Sequence, residues 1–139
     1  MDFIRIENNY FDELFKLHAA YKTEIGEASP SQQDLFSLKR AIESGIIQFY
    51  GCICDDKLVG ICSVCPTYST FNYERSGVFE DFYILPEARR QGIARGLAAY
   101  AWQNSGVKSM TVGCAPCDQA MYQAIGFRVK LGNLLAWEE

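Results

Sequence analysis

The chain has 139 residues, 49% of them hydrophobic, and a net charge of −4 with a pI near 5.0. That length supports one core, so we expect a single domain over residues 1–139. The acidic balance argues against a nucleic-acid partner, and no apolar run approaches the ~20 residues of a membrane span. Because no basic and apolar leader precedes the first strand, we expect a soluble cytoplasmic protein with no membrane partner.

The first segments predict one strand and two helices. Residues 3–7 (FIRIE) alternate apolar and charged side chains, as in a half-buried strand. Residues 10–25 repeat apolar positions at helical spacing, and His18 falls on that apolar face. Packing is therefore the favoured interpretation for this histidine, over a role as general base. Ser31 is a suitable N-cap for a second helix that ends near Gly45.

A hairpin and a loop follow the two helices. Residues 46–54 and 57–65 are strand-like runs joined through the dipeptide Asp55-Asp56. Residues 66–77 are rich in Ser, Thr, Tyr and Asn, and they predict a loop beside the functional site.

Residues 78–97 (VFEDFYILPEARRQGIARGL) predict a strand, a loop and the start of a helix. The strand breaks at Pro86, and the helix runs from about Gly92 to Asn104. Positive side chains crowd the helix start, where acidic ones are normally preferred: Arg89, Arg90 and Arg95. Either an anion such as phosphate binds the backbone N–H groups there, or the segment is a solvated charged turn.

The last third of the chain predicts a short strand over residues 108–113, a helix over 118–125 and a terminal run over 128–137. Antiparallel strands early and a parallel pair across the third helix give an α/β arrangement around a mixed sheet.

Two common phosphate loops do not fit the helix start. No Gly-Lys-Ser/Thr follows it, and residues 92–96 lack the glycine spacing of a dinucleotide fold. Residues 89–94 (RRQGIA) instead resemble the Q/R-x-x-G-x-G/A signature of the GNAT superfamily of N-acetyltransferases. Residues 84–87 (ILPE) are similar to the family's V-x-P-E, and residues 120–127 (AMYQAIGF) to its Y-x-x-x-G-F.

This resemblance implies a single-domain α/β fold. The implied sheet is mixed and mostly antiparallel, is flanked by helices, and has a parallel strand pair splayed around an acetyl-CoA site. The resemblance also implies that the arginine-rich loop holds the pyrophosphate of acetyl-CoA and that a bulge near residues 82–84 frees backbone N–H groups to polarise the thioester. The implied cofactor-binding residues are Phe82, Tyr83, Ile84, Arg89, Arg90, Gln91, Gly92, Ile93, Ala94 and Arg95.

Two carboxylates, Glu80 and Asp81, interrupt the apolar central strand, where burying an unpaired carboxylate costs roughly several kcal/mol. An amine with a pKa of ~10 must lose a proton before it attacks a thioester, and Glu80 is the candidate base. Residues 80–84 (EDFYI) resemble the E-D-F-F-V strand of the diamine acetyltransferase branch, which implies that both carboxylates meet a small, polyamine-like cationic amine. Tyr122 is the candidate acid for the CoA thiolate. The alternatives for the carboxylates are an exposed strand end, an ion pair with an arginine, or a turn cap. The alternative for the tyrosine is simple packing.

Six cysteines occur in closely spaced pairs: Cys52, Cys54, Cys62, Cys65, Cys114 and Cys117. Two of the pairs have the Cys-x-x-Cys spacing of zinc ligands, but the gap between those pairs is much longer than in usual zinc ribbons. We expect no metal, and we interpret most of the thiols as small buried hydrophobes in a reducing compartment.

The expected partners are acetyl-CoA and a small primary amine, and a homodimer is left open. Two other functions compete with this one. The first is a non-catalytic acyl-CoA-binding module, and the second is an acetyltransferase that acts on a protein amine. The presence of both Glu80 and Tyr122 favours an enzyme.

Overall fold

The computed structural model describes residues 1–138, which form one mixed sheet with helices on both faces. The five strands lie in the order β1-β2-β3-β4-β5. Their bounds are β1 Asp2–Arg5, β2 Gln48–Cys54, β3 Lys57–Ser69, β4 Glu74–Ile84 and β5 Ser109–Thr111. Neighbouring strands are antiparallel except β4 and β5, which are parallel. The predicted mixed α/β sheet is confirmed.

The four helices match the predicted ones to within a few residues. Their bounds are α1 Phe11–Glu24, α2 Gln32–Glu43, α3 Ile93–Asn104 and α4 Gln119–Ile125. The predicted cap of α2 is present, because Ser31 Oγ accepts from the backbone N–H of Asp34 while the Asp34 carboxylate accepts from the backbone N–H of Ser31. None of the helices within residues 1–138 is both long and apolar enough to cross a membrane.

Each face of the sheet carries its own apolar cluster. On the first face, Leu14 and Leu17 of α1 pack with Phe49, Ile61 and Tyr83 of the strands. On the second face, the buried side of α3 packs on other strand residues, which include Tyr50, Val64 and Phe79. Because both faces are covered, a polar side chain on the middle strands is either buried between layers or lies at a gap between helices.

The hairpin between β2 and β3 has the predicted turn. Asp55 and Asp56 have φ angles of 50° and 60°, which is the left-handed pair that a two-residue turn of type I′ requires. Aspartate tolerates this conformation better than most residues with a side chain, so the dipeptide sets the first pairs of the hairpin. An irregularity between Cys52 and Ile53 shifts the register of the pairs beyond them.

The predicted loop over residues 66–77 is wrong. β3 continues to Ser69 and β4 begins at Glu74, and the two strands remain paired through this region, with Thr67 opposite Ser76. Serine and asparagine suggested a loop, but threonine and tyrosine favour strands. The continuous hydrogen-bonded pairing of β3 with β4 extends both strands into this region.

The terminal run after α4 lies outside the sheet. Four of its apolar side chains are more than two-thirds exposed: Val129 at 80%, Leu131 at 69%, Leu134 at 96% and Leu135 at 90%. Trp137 is 91% exposed. The sheet as described ends at β5, whose outer side has no strand partner within residues 1–138.

Candidate active site

The central strand β4 contains a bulge at the carboxylate pair. Ile61 pairs with Tyr83 and Ser63 pairs with Glu80, so one residue of β3 faces two residues of β4. Asp81, at the bulge, has a φ of 52° in the left-handed region. Such a backbone costs on the order of 1–3 kcal/mol for a residue with a side chain. Bulges of this kind re-aim side chains, and the implied bulge is present, one residue earlier than expected.

The bulge turns Asp81 toward α1. Its Oδ2 accepts a hydrogen bond of 2.6 Å from Ser63 Oγ. Its Oδ1 lies 3.9 Å from Nδ1 of His18, a ring nitrogen that is buried and lacks a hydrogen-bond partner within the described chain. The carboxylate is thus largely buried between the sheet and the first helix.

His18 packs as predicted, and it also lies beside the carboxylate of the bulge. Its ring meets Phe49 edge-on at 6.3 Å between centroids. Burial lowers the pKa of His18, and the negative charge of Asp81 opposes that shift only in part. The imidazole is therefore neutral at pH 7.

Glu80 is exposed to solvent, unlike its neighbour. It lies directly opposite Ser63, and opposed residues of an antiparallel pair share one face of the sheet, so Glu80 also faces the α1 side. Burial raises the pKa of the Tyr21 phenol, and the negative charges of Asp81 and Glu80 raise it further. Both carboxylates and this phenol therefore border the same region beside α1.

Tyr122 lies on α4, on the other side of β4. Its ring packs between Phe82 and Phe127, with centroids 6.2 Å and 6.1 Å away. Burial raises the pKa of Tyr122 to about 12, and Tyr21 is the next contributor to the shift. The phenol is therefore fully protonated at neutral pH.

A gap opens in the sheet between these two sides. The parallel pairing of β4 with β5 ends at Val78 and Thr111, six residues before β4 itself ends at Ile84. Beyond that point the two strands are no longer hydrogen-bonded to each other, as expected for a splayed parallel pair. Of the residues expected at the cofactor, Tyr83 and Ile84 have buried side chains, and Phe82 packs beside Tyr122.

The start of α3 is open to an anion. Gly92 is its N-cap with a φ of 82°, no side chain caps the helix, and no acidic residue lies in the first turn. A Cβ added at Gly92 would meet nothing within 4 Å. Since the first four N–H groups of a helix have no intrahelical partner, they point into accessible space together with partial positive charge. Ile93 is buried beneath this turn and Ala94 packs beside it.

The three arginines at this helix start have different environments. Arg89 Nε donates to the carbonyl of Ile84 at 2.8 Å, and its Nη2 donates to Glu24 of α1 at 2.9 Å. Arg95 Nη2 donates to the carbonyl of Ala124 in α4 at 2.7 Å. These two guanidinium groups therefore join the helix start to α1 and α4.

Arg90 differs from the other two. It is exposed, has a φ of 64° and makes no ion pair within residues 1–138. Gln91 beside it makes one long contact of 3.4 Å to the carbonyl of Glu87. These two residues and the free amides are the groups available to a ligand.

The cysteines do not share one environment, and the expectation that most are buried is wrong. Cys52 and Cys62 are buried, whereas Cys114 and Cys117 are exposed on the segment after β5. Burial raises the pKa of Cys62 well above its usual value, so this thiol stays protonated beside Asp81.

Two residues beside the carboxylates, Ser63 and Tyr21, were not predicted from the sequence as part of the site. Ser63 is the one hydroxyl residue in the apolar run over 58–65, which is a usable signal. Tyr21 looked like any other member of the apolar face of α1.

Residues 46–129, more than half of the chain, match the family described as "Acetyltransferase (GNAT) domain". No curated protein matches the chain by sequence.

Solved structures share the fold over the full length. A probable acetyltransferase is 25% identical, with 100% of both chains covered and a TM-score of 0.84. An aminoglycoside acetyltransferase from an uncultured soil metagenomic sample, in complex with sisomicin, is 13% identical, with 99% of this chain and 95% of that one covered and a TM-score of 0.83. A predicted acetyltransferase of Clostridium acetobutylicum with acetyl-CoA is 13% identical, with the same coverage and a TM-score of 0.75. By its family match, this chain belongs to the GNAT acetyltransferases.

Proposed function

We propose that the chain transfers the acetyl group of acetyl-CoA to a primary amine of a small cationic molecule. The observation that carries this proposal is the bulge, which turns Asp81 to the region beside α1 that Glu80 also faces, while Tyr122 lies across β4. A similar fold occurs in a protein solved with acetyl-CoA and in an aminoglycoside acetyltransferase, which supports the choice of substrates.

The start of α3 fits the pyrophosphate of acetyl-CoA. The uncapped amides over residues 91–95 and the unpaired Arg90 supply hydrogen-bond donors and positive charge. The absence of a Cβ at Gly92 leaves room for close approach of phosphate oxygens. Arg89 and Arg95 hold the surrounding elements in place through the contacts to α1 and α4.

Glu80 is proposed as the base. An ammonium group must lose a proton before its nitrogen attacks the thioester carbon. Glu80 is exposed at the mouth of the site, so it accepts that proton and passes it to water. Asp81 is held by Ser63 and attracts the positive charge of the substrate without needing to move.

Tyr122 is proposed to assist the departure of the CoA sulfur. As the C–N bond forms and the C–S bond breaks, negative charge develops on sulfur, and the phenol donates a hydrogen bond to it. The pKa of Tyr122, about 12, is higher than that of an ordinary thiol, so the phenol holds its proton more strongly than the CoA sulfur does. Against a thiol pKa of ~8.5, complete transfer would cost about 5 kcal/mol, which favours stabilisation by hydrogen bonding with solvent supplying the final proton.

An acetylation screen tests the proposed substrate class. With acetyl-CoA as donor, we expect turnover of polyamines or aminoglycosides at least ~10-fold above that of neutral amino acids or peptides, because the carboxylates favour a cation. Release of free CoA thiol is the measurement. If only peptides are acetylated, the acceptor is a protein amine and not a small molecule. If the chain binds CoA but acetylates nothing, it is a non-catalytic module.

Gly92→Val tests the cofactor site. The side chain projects into the space that a phosphate needs, so the affinity for CoA should fall by ~10-fold or more while the domain stays folded. Gly45→Val is the matched control, since Gly45 has a φ of 80° and the same open surroundings but follows the C-cap of α2 at Ser44. Calorimetry should show normal CoA binding for the control, and equal affinity for both variants would refute the assignment.

Tyr122→Phe tests the role of the phenol. The ring remains and the hydroxyl is lost, so kcat should fall by ~10²-fold with acetyl-CoA affinity nearly unchanged. Tyr100→Phe removes a phenol from the apolar cluster on the same face and serves as control. Turnover near the wild-type rate in Tyr122→Phe would make this tyrosine a packing residue.

Glu80→Gln and Asp81→Asn form a matched pair, since each removes one carboxylate charge at nearly constant shape. Asparagine also tolerates a positive φ, so the bulge survives. Glu80→Gln should lower kcat/KM most at neutral pH, by about 10²-fold, and recover in part as pH approaches the amine pKa of ~10, where neutral amine needs no base. Asp81→Asn should instead raise KM for a diamine more than for a monoamine of the same length.

Two outcomes would contradict these assignments. If the pH–rate profile of Glu80→Gln runs parallel to that of the wild type, Glu80 is not the base. If Asp81→Asn changes KM equally for diamine and monoamine, the second charge of the substrate does not meet Asp81.

A further inference from the structure

His18 carries a polar atom that no group within residues 1–138 satisfies. The residue is 8% exposed, and its Nδ1 is buried without a hydrogen-bond partner. The packing of the ring against Tyr21 and Phe49 does not require a nitrogen at this position. Because a buried polar atom without a partner destabilises a fold, this nitrogen calls for an explanation other than packing.

The carboxylate of Asp81 lies beside this nitrogen. Its Oδ1 is 3.9 Å from Nδ1 of His18, which is beyond hydrogen-bond range, whereas its Oδ2 accepts a hydrogen bond of 2.6 Å from Ser63 Oγ. The two side chains are 11% and 14% exposed, so the pair lies just below the surface of the region beside α1. The sheet therefore holds one oxygen of the carboxylate and leaves the other free.

The other charged groups around His18 do not compete with Asp81. Lys22 lies 3.0 Å from Glu27, and these two charges act on the imidazole with opposite signs. Glu80 faces the same region but lies in solvent. The remaining side chains that border the pair carry no charge at neutral pH, since burial raises the pKa of those that titrate: Tyr21 of α1, Phe49 of β2, and Ser63 and Cys65 of β3.

We propose that His18 controls how strongly this chain binds cationic amines, because it leaves Asp81 free when the imidazole is neutral and engages Asp81 when the imidazole is protonated. The inference rests on the proposed function, in which Asp81 attracts the positive charge of the substrate. With His18 neutral, the free oxygen of Asp81 and its negative charge are available to the second ammonium of a diamine.

Protonation changes this arrangement. Both nitrogens of an imidazolium are donors, and a buried positive charge needs a partner. A shift of about 1 Å brings Nδ1 of His18 to the ~2.8 Å of a charge-assisted hydrogen bond with Oδ1 of Asp81. Since Ser63 still donates to Oδ2, both oxygens are then engaged within the protein. The diamine loses its partner and meets a positive charge instead.

The direction of the pH dependence follows from the pKa of His18. Burial, opposed in part by the negative charge of Asp81, holds this pKa below its ordinary value of 6.5. The imidazole is neutral above its pKa, so a diamine binds best at neutral pH and more weakly as the pH falls through that value. An amine with a pKa of ~10 keeps its charge throughout this range. A monoamine offers no second charge and serves as the reference.

NMR titration of the untagged full chain is the first measurement, because His18 is the only histidine and gives a single imidazole signal. In the presence of CoA, saturating 1,4-diaminobutane should lower the pKa of His18 by about one unit or more, since binding and protonation oppose each other. Butylamine should shift it much less. Asp81→Asn should also lower the pKa, because it removes a negative charge. If the diamine or Asp81→Asn leaves the pKa of His18 unchanged, the proposal is wrong.

The ratio of the KM for 1,4-diaminobutane to the KM for butylamine is the second measurement. From about pH 8 to one unit below the pKa of His18, this ratio should rise ~5-fold or more, as a one-unit shift requires. The ratio cancels any effect of pH on the base or on the thioester, which both amines share. His18→Gln should give a ratio that does not depend on pH. His18→Phe keeps the ring packed on Phe49 and repeats the test should His18→Gln fold poorly.

Lys22→Gln is the matched control. It removes a nearby positive charge that lowers the pKa of His18 but keeps the pair with Asp81, so the ratio should still depend on pH, with its midpoint at a higher pH. A wild-type ratio that does not change with pH, or one that changes equally in both His18 variants, would overturn the proposal and leave amine acetylation in place. A chain that acetylates no amine would instead refute the proposed function, and the NMR titration would then decide whether the diamine and the proton compete for Asp81.

Discussion

The left-handed backbone at Asp81 is the constraint on which the site depends. In a regular strand, side chains alternate strictly, and Tyr83 would then share a face with Phe79. The extra residue at the bulge reverses the alternation, so Phe79 and Phe82 pack beneath α3 and α4 while Tyr83 packs beneath α1. The same reversal leaves Asp81 facing α1, where Ser63 donates to it. One strained residue therefore permits good packing on both sides of β4 and a polar group at the centre of the sheet.

The three arginines at the start of α3 have different roles in the structure. Uncapped amides attract an anion, but they select it only if the helix is fixed relative to the rest of the site. Arg89 bonds to Glu24 of α1, and Arg95 bonds to the carbonyl of Ala124 in α4. The first contact reaches the helix that borders the two carboxylates, and the second reaches the helix that carries Tyr122. Arg90 is left as the cation free to meet a ligand, so clustered arginines in the sequence need not all contact one anion.

Sequence patterns predicted most of the fold because the local signals agreed with the tertiary structure. The capping box at Ser31 and the Asp55-Asp56 turn are examples in which local chemistry alone determines the backbone. The strands over residues 66–77 were missed because their stability comes from a ladder with distant residues, which composition does not report. The partners of Asp81 were missed for a related reason. Ser63 and His18 are separated from it by many residues, and only the register of the bulge brings them together.

Proton stoichiometry explains why one proposed catalytic group is exposed and the other is enclosed. An ammonium and a thioester give an amide and a thiol, so the nitrogen loses two protons, the sulfur gains one, and one proton must leave the site. Glu80 is open to solvent and is suited to release that proton. Burial among aromatic rings raises the pKa of Tyr122 to about 12, so in its proposed role it would keep its own proton while donating a hydrogen bond to sulfur. With the environments exchanged, the proposed base would hold the released proton inside the site, and the exposed phenol, which is not ionised at neutral pH, could not accept it. The two environments therefore suit the two proposed roles.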